Sequence, residues 1–512
     1  MSHNDIHTDV LIIGSGAVGA TFARLLARMG RKITMLEAGK QLSDRPGEHL
    51  RNAFRYQQEP NLFSDAIASQ LEAFSVPQSL FYRPNAPREN FENPDQKWWR
   101  SMPLASTAYA VGGMLTIWTA STPDPVSFER APFIPEEDWA HMLAVGRRLL
   151  NVREDAFDHS LMGKAVKNRL EKRGFSLSFL PQGAENIPTD DKLAYFIKWT
   201  GADTILGPLL DNPKKFRDRF EILSEHRAEK LNFKGGKVKS VEVRDLRTYT
   251  TFTIHADTFI VAGGSFLTPR LLWQSGIRPY ALGRYLNDNV ESHCQVVVDA
   301  ELLEEMRKMP GNPNSDKSIP IAHTDPGPAL GFPPTVEKPW HGQVHRLGRQ
   351  VIYLPGVDVR KTVSLTWYGI VDISPDNRII FSEKHKDRFG MPQITVDFQY
   401  SIKDWMRAIR MRADMIRTGS AIGKVKGFIM ISPPGSTLHF QGTYRMGEAE
   451  AEAVTDPFSK VWGYDNLYLG GLGNIPTSMA SNPTLSACAL AIHSAAHIRG
   501  DSLASLVKEV RA

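Results

Sequence analysis

The segment Gly14-Ser15-Gly16-Ala17-Val18-Gly19 narrows the fold more than any other, because of what flanks it. Before it, Asp9-Val10-Leu11-Ile12-Ile13 is a short apolar run, as expected of a strand buried on both faces in a parallel sheet. After it, Phe22, Leu25, Leu26 and Met29 recur at helical spacing, Gly30 closes the helix, and Lys32 to Leu36 forms a second strand ending at Glu37. In such a unit Gly14 permits the tight turn, Gly16 lets the backbone approach a pyrophosphate, and Gly19 lets helix rest on strand. The helix N-terminus faces the phosphate charge, and Glu37 stands where an acid accepts ribose hydroxyls. A glycine triplet alone marks only a turn. With strand, helix, second strand and acid in register, the segment predicts a dinucleotide site, and Glu37 favours FAD or NAD over NADP.

A second pattern separates those two cofactors. Thr258-Phe259-Ile260-Val261-Ala262-Gly263-Gly264 is another buried strand running into a glycine turn, followed by a helix over Ser265 to Trp273 that Pro269 is expected to open. Strands that return to the nucleotide this late suit an FAD protein better than a compact nicotinamide domain.

Near the C-terminus, Ser436-Thr437-Leu438-His439 and Ala480-Ser481-Asn482-Pro483-Thr484 flank the apolar run Leu467-Tyr468-Leu469 and its turn Gly470-Gly471. A neutral histidine can take a proton from an alcohol, and an asparagine can hydrogen-bond the oxygen as charge develops there. The plainer readings are a backbone-bonded His439 and an Asn482 that only shapes the turn before Pro483.

Composition excludes more than it selects. A chain of 512 residues with 42% hydrophobic and 23% charged residues can bury a large core and suggests two interleaved domains. The net charge of +5 is mild, and with no basic run neither nucleic acid nor an anionic membrane is expected as a partner. Cys294 and Cys488 are too few for a disulfide framework and read as buried thiols. No apolar run approaches the roughly 18 residues that cross a bilayer, and no leader precedes the first strand, so a cytoplasmic location is expected. His341 and His345 lie four apart without a Glu or Cys to complete a metal site, so no metal is expected. Trp98 and Trp99 read as core residues in preference to a sugar or subunit surface.

Several of these segments together resemble the glucose–methanol–choline oxidoreductases, and within them the pyranose oxidase branch. Besides the fingerprint and the Ala262-Gly263-Gly264 turn, the carriers are Val111-Gly112-Gly113-Met114-Leu115-Thr116-Ile117-Trp118-Thr119, Pro339-Trp340-His341-Gly342-Gln343-Val344-His345-Arg346, Leu438-His439 with Gly442-Thr443-Tyr444-Arg445-Met446-Gly447, and Gly473-Asn474-Ile475-Pro476-Thr477. The resemblance spans nearly the whole chain. It implies an α/β fold in which a Rossmann-like FAD-binding domain is interleaved with a substrate domain built on a mostly antiparallel sheet. The expected division gives 1–45, 105–130, 222–300 and 435–512 to FAD, and 46–104, 131–221 and 301–434 to substrate. His439 is then the base and Asn482 its partner at the reacting hydroxyl, with Gln343 and Thr437 also touching substrate. Gly14, Gly16, Gly19, Glu37, Gly112, Gly113, Thr119, Gly263, Gly473, Asn474, Pro483 and Thr484 are the expected FAD contacts.

Three departures qualify that picture. Where members with covalent flavin carry the linking histidine, this chain has Ile117, which has no nucleophile, so FAD is expected to be held noncovalently. The family's substrate loop is altered around Leu347 and Arg349, and Thr366 stands where the family has an arginine near the sugar. The expected activity is oxidation of a secondary hydroxyl of a pyranose or glycoside, at carbon 3 in preference to carbon 2, with O2 or a quinone as acceptor. A general alcohol or choline-type flavin oxidase and a non-catalytic flavin-binding protein are the alternatives, and a homo-oligomer stays open. Residues 309–339, rich in Pro and Gly, read as a long loop that is either a lid or a surface excursion.

Overall fold

Val10, Leu11 and Ile12 have no exposed surface, which a strand achieves only when both faces of its sheet are covered. The computed structural model, which describes residues 5–58, 60–77, 92–187, 196–216, 218–346, 356–387 and 389–511, shows how. Ile6–Ile13 pairs in parallel with Ile33–Glu37 on one side and Thr251–Val261 on the other. Phe220–Ser224 extends the sheet beyond Ile33–Glu37, and Leu467–Leu469 lies beside the end of Thr251–Val261, both parallel. The start of Thr251–Val261 instead takes the antiparallel hairpin Lys237–Asp245 and His226–Lys234. The parallel strands therefore end at one edge, where Gly14, Ala262 and Gly470 follow and Glu37 is the last strand residue. In open α/β sheets that edge is where ligands bind.

Helices Ala17–Leu26, Thr484–Arg499 and Glu136–Leu149 stack over one face of this sheet. Thr484–Arg499 is buried at every residue from Leu485 to Ala496, which accounts for its lack of a polar stripe. Gly264–Gln274 covers the opposite side. Pro269 does not open that helix but sits inside it. A proline there cannot donate to the carbonyl four residues back, and Thr443 Oγ1 donates to that Ser265 carbonyl at 2.6 Å instead.

A second sheet of six antiparallel strands runs in the order Gly423–Ile431, Val290–Val298, Thr362–Gly369, Trp340–His345, Ala329–Phe332, Ser178–Phe179. Period-two alternation splits it into two chemistries. Trp340, Val344, Leu365 and Trp367 face a core closed by Ala408, Met411 and Met415 of helix Ile402–Ser420. His341, Gln343 and His345 point the other way, beside Tyr368, Thr366 and Ser364. This polar face fronts the C-terminal segments of the chain, because Gln343 bonds Asn482 across the gap.

Several details depart from the sequence reading. Val290–Val298 joins the second sheet although it falls within 222–300, and Glu136–Leu149 packs on the first core although it falls within 131–221. Residues 309–339 are no free loop, since Ile321 is fully buried and Ala329–Phe332 is a sheet strand. Trp98 and Trp99 are 56% and 59% exposed, not core residues; their rings meet edge to face, and Lys97 Nζ lies over the Trp99 ring. Cys294 and Cys488 are buried free thiols. Among the described residues no helix is long and apolar enough to cross a membrane.

Candidate active site

The fingerprint glycines answer to different demands. Gly14 has φ +109°, and a Cβ on it would lie 2.3 Å from the Ala262 carbonyl oxygen. A Cβ on Gly19 would lie 2.0 Å from the Gly14 oxygen, so both are required by the chain itself. Gly16 is different: its backbone is ordinary (φ −68°), and a Cβ would meet nothing nearer than the Gly112 oxygen at 3.9 Å. Space beside Gly16 is therefore left open at a helix N-terminus, the arrangement that receives a pyrophosphate. Glu37 closes the far end. Its Oε2 accepts the Ser15 hydroxyl at 2.7 Å and the Ser15 N–H at 3.2 Å, and its Oε1 accepts the Gly39 N–H at 2.8 Å. Burial raises its pKa, and these bonds partly oppose the rise.

A cavity of about 270 Å³ runs from Glu37 past Gly16, Gly113 and Gly263 to Leu438 and Thr484. Gly112 ties the second wall to the first by donating to Ser15 Oγ at 2.9 Å. Pro483 is the cap residue of the helix that Thr484 begins. Gly19, Gly112, Pro483 and three further expected contacts, Thr119, Gly473 and Asn474, do not line the cavity. Gly473 lies against the Tyr444 ring, 2.2 Å from where its Cβ would be, and Asn474 is bonded between Thr455 and Ser459. Thr119 is exposed, while its neighbour Trp118 lines the cavity and Ile117 is buried.

At the Leu438 end the chain brings His439 and Asn482 together. Asn482 Nδ2 donates to His439 Nε2 at 3.2 Å, and Gln343 Nε2 donates to Asn482 Oδ1 at 2.6 Å. His439 Nδ1 meets Asn289 Oδ1 at 2.7 Å. The ring keeps an open edge yet lies deep enough that desolvation, with a smaller push from His341, lowers its pKa to about 3. It is therefore neutral at physiological pH. Tyr368 lies beside it, with ring centroids 5.5 Å apart. Leu438 holds the left-handed φ of +60°, a strained conformation for a non-glycine residue. Asp288 restrains it from both sides, taking the Thr437 hydroxyl and the His439 N–H on one oxygen. Thr437 thus spends its hydroxyl hydrogen on Asp288. That carboxyl has no exposed surface, and burial pushes its pKa up to about 7.

Sequence reasoning missed Asn289, Asp288 and Glu129. The first two belong to Asn287-Asp288-Asn289, three polar residues at 2%, 0% and 1% exposure directly before a strand. A polar triplet set against an apolar run was the available signal. Glu129 left none. Thr366, buried, accepts or donates at His345 Nε2 across 3.0 Å, and burial lowers both His341 and His345 to about 4. Leu347 and Arg349 lie outside the described residues.

A Gly-rich parallel edge that leads to a His–Asn pair defines an FAD-dependent oxidoreductase acting on CH–OH groups. Comparison with known proteins agrees. The GMC oxidoreductase family models match residues 192–291 and 374–491, and a model of an NAD(P)-binding Rossmann-like domain matches 12–74. The pyranose 2-oxidase of Emericella nidulans is 34% identical, covering 96% of this chain and 92% of its own. C-glycoside 3-oxidases of Arthrobacter globiformis and Microbacterium trichothecenolyticum are 31% and 32% identical, covering 98% and 97% of this chain and 96% and 98% of theirs. The formate oxidase of Aspergillus oryzae superposes with a TM-score of 0.65 at 15% identity over 98% of this chain and 99% of its own. The chain belongs to the GMC oxidoreductase family. FAD is its cofactor, and the open cradle at Gly16 with Glu37 beyond it fits that group.

Proposed function

We propose that the protein oxidises a secondary hydroxyl of a pyranose sugar or glycoside to the keto sugar, at carbon 3 in preference to carbon 2. The observation that carries this reading is the His439–Asn482 contact, set between the cavity's Leu438 end and the polar sheet face that bears Gln343. FAD, when bound, supplies the two-electron acceptor for the hydride. His439 takes the hydroxyl proton at Nε2, the C–H hydrogen leaves with its electron pair, and a carbonyl forms. Asn482 Nδ2 stabilises the oxygen as charge builds on it.

On the two central strands the polar face carries only uncharged groups at neutral pH: His341, Gln343, His345, Thr366 and Tyr368. Such a surface offers hydrogen-bond partners to ring hydroxyls, with Glu291 opposite Tyr368 on the next strand. The relatives named as pyranose 2-oxidases and C-glycoside 3-oxidases support a sugar, and the altered loop near Leu347 and Arg349 supports a glycoside. FAD is held noncovalently, since Ile117 offers no nucleophile. Electrons pass on to O2, giving hydrogen peroxide, or to a quinone.

The test is anaerobic flavin bleaching by a panel of free sugars, glycosides and simple alcohols, followed by product NMR. Bleaching by glycosides with a 3-keto product is the expected result. A 2-keto sugar alone would remove the carbon 3 preference. Turnover of simple alcohols with none of sugars would remove the substrate class. His439→Ala should abolish bleaching while FAD stays bound.

A further inference from the structure

We propose that Asn289 is a positioning residue that sets the tautomer of His439, placing the ring proton on Nδ1 and leaving the Nε2 lone pair facing Asn482. This rests on the reading of His439 as the base. Asn289 lies 1% exposed at the start of Val290–Val298. Its Nδ2 points at two backbone carbonyls, Met479 O at 2.5 Å and Gly369 O at 3.3 Å. Carbonyls only accept, so that side of the amide must be the NH2 and the side facing His439 must be oxygen. Oδ1 has no hydrogen to give. The 2.7 Å contact therefore requires Nδ1 to donate, and a neutral imidazole has one N–H, so Nε2 is bare.

The contacts on the other side of the ring are consistent with this. Gln343 Nε2 occupies Asn482 Oδ1 at 2.6 Å, which turns Asn482 Nδ2 toward His439 Nε2 at 3.2 Å. A donor there needs a lone pair opposite. In the alternative tautomer, Nε2–H would face an NH2 and the Nδ1 lone pair would face the Asn289 amide oxygen, two repulsions in place of two hydrogen bonds. Met479 lies three residues before Asn482, so one buried amide also anchors the loop that delivers the second member of the pair. Asn289 touches no reacting atom; it acts through His439.

The experiment uses FAD-loaded enzyme labelled with 15N-histidine, whose two-bond 1H–15N spectra separate Nδ1–H from Nε2–H rings, with His439→Ala assigning the signal. The wild-type ring should show the Nδ1–H pattern. Asn289→Leu should lose it and slow anaerobic flavin reduction roughly 100-fold or more, with substrate affinity little changed. Asn289→Asp retains an acceptor, so it should retain the tautomer and move the acid limb of the reduction rate to higher pH, because a carboxylate favours the imidazolium. An Nδ1–H ring and wild-type rate in Asn289→Leu would overturn the proposal. If that variant does not fold, an unmoved pH profile in Asn289→Asp overturns it. Near-normal reduction by His439→Ala would instead remove the base assignment on which the proposal rests, and the two failures are told apart by which variant stays active.

Discussion

Glu129 Oε1 accepts the backbone N–H of Ser481 at 2.9 Å and that of Ala480 at 2.7 Å, so the turn that presents Asn482 hangs from a buried carboxylate. The other oxygen takes the Val126 N–H at 3.0 Å. Glu129→Ala leaves three backbone donors without this partner, at about 1–3 kcal/mol for each that stays buried and unpaired. We expect a lower melting temperature together with slower flavin reduction, because Asn482 loses its fixed approach to His439. Glu129→Gln, which keeps one carbonyl oxygen for the two loop amides, should recover most of the rate. Stopped-flow reduction and thermal melts of both variants check this, and equal rates in the two would count against the loop's dependence on Glu129.

Gly14 and Gly16 should separate folding from cofactor binding. In Gly14→Ala the new methyl meets the Ala262 oxygen at 2.3 Å on a backbone with φ +109°, so little folded protein is expected. In Gly16→Ala the methyl fits the chain, since its nearest neighbour is 3.9 Å away, but it enters the cofactor's space. Apoprotein stability should stay within about 0.5 kcal/mol of wild type while FAD affinity falls. Apoprotein melts and FAD titration give the two numbers. Full FAD affinity in Gly16→Ala would refute the cradle.

Acid precipitation should leave the yellow colour in the supernatant. Ile117 is buried at 4% exposure and has no atom able to bond the flavin ring. A yellow pellet would mean that another side chain forms the link.

Stability should fall on the acid side of neutrality. Burial holds His49 and His439 at about 3 and His341 and His345 at about 4, below the roughly 6.5 of an unfolded histidine. Between those values the unfolded chain binds more protons, so this stability is complete above about pH 6.5 and is lost as pH falls toward about 4. Asp288 works in the opposite sense. Its folded value of about 7 exceeds the unfolded value of about 3.9, so its contribution is complete below about 3.9 and is lost as pH rises through about 7. Glu37, Glu48, Glu129 and Asp203, also raised by burial, act with Asp288, while His159 and His493, lowered by burial, act with the four rings. The six rings are expected to prevail, and melting temperature should climb from pH 4 to 6.5. A flat or falling profile over that interval would contradict the burial of these rings.

Local signals carried much of the architecture. The apolar runs before Gly14 and Gly263, the helical spacing after Gly19 and the acid at Glu37 are all short-range patterns, and each became the element it suggested. Their joint meaning, a parallel sheet with a dinucleotide site at its carboxyl edge, followed from these residues and their spacing. His439 and Asn482 could be nominated the same way, because Gly442 and Pro483 mark the turns around them. What stayed out of reach were lateral relations. Asn289 reaches His439 across 150 residues, Gln343 reaches Asn482 across 139, and Glu129 reaches Ser481 across 352. Periodicity reports which face of a strand is apolar, but not which strand lies beside it or what stands opposite the polar face. Placing Val290–Val298 in the second sheet, beside the loop of Met479, puts the Asn289 amide between His439 and two carbonyls. The presence of a histidine and an asparagine was written in the chain; which ring nitrogen bears the lone pair, and what holds it there, arose from the folded hydrogen-bond network.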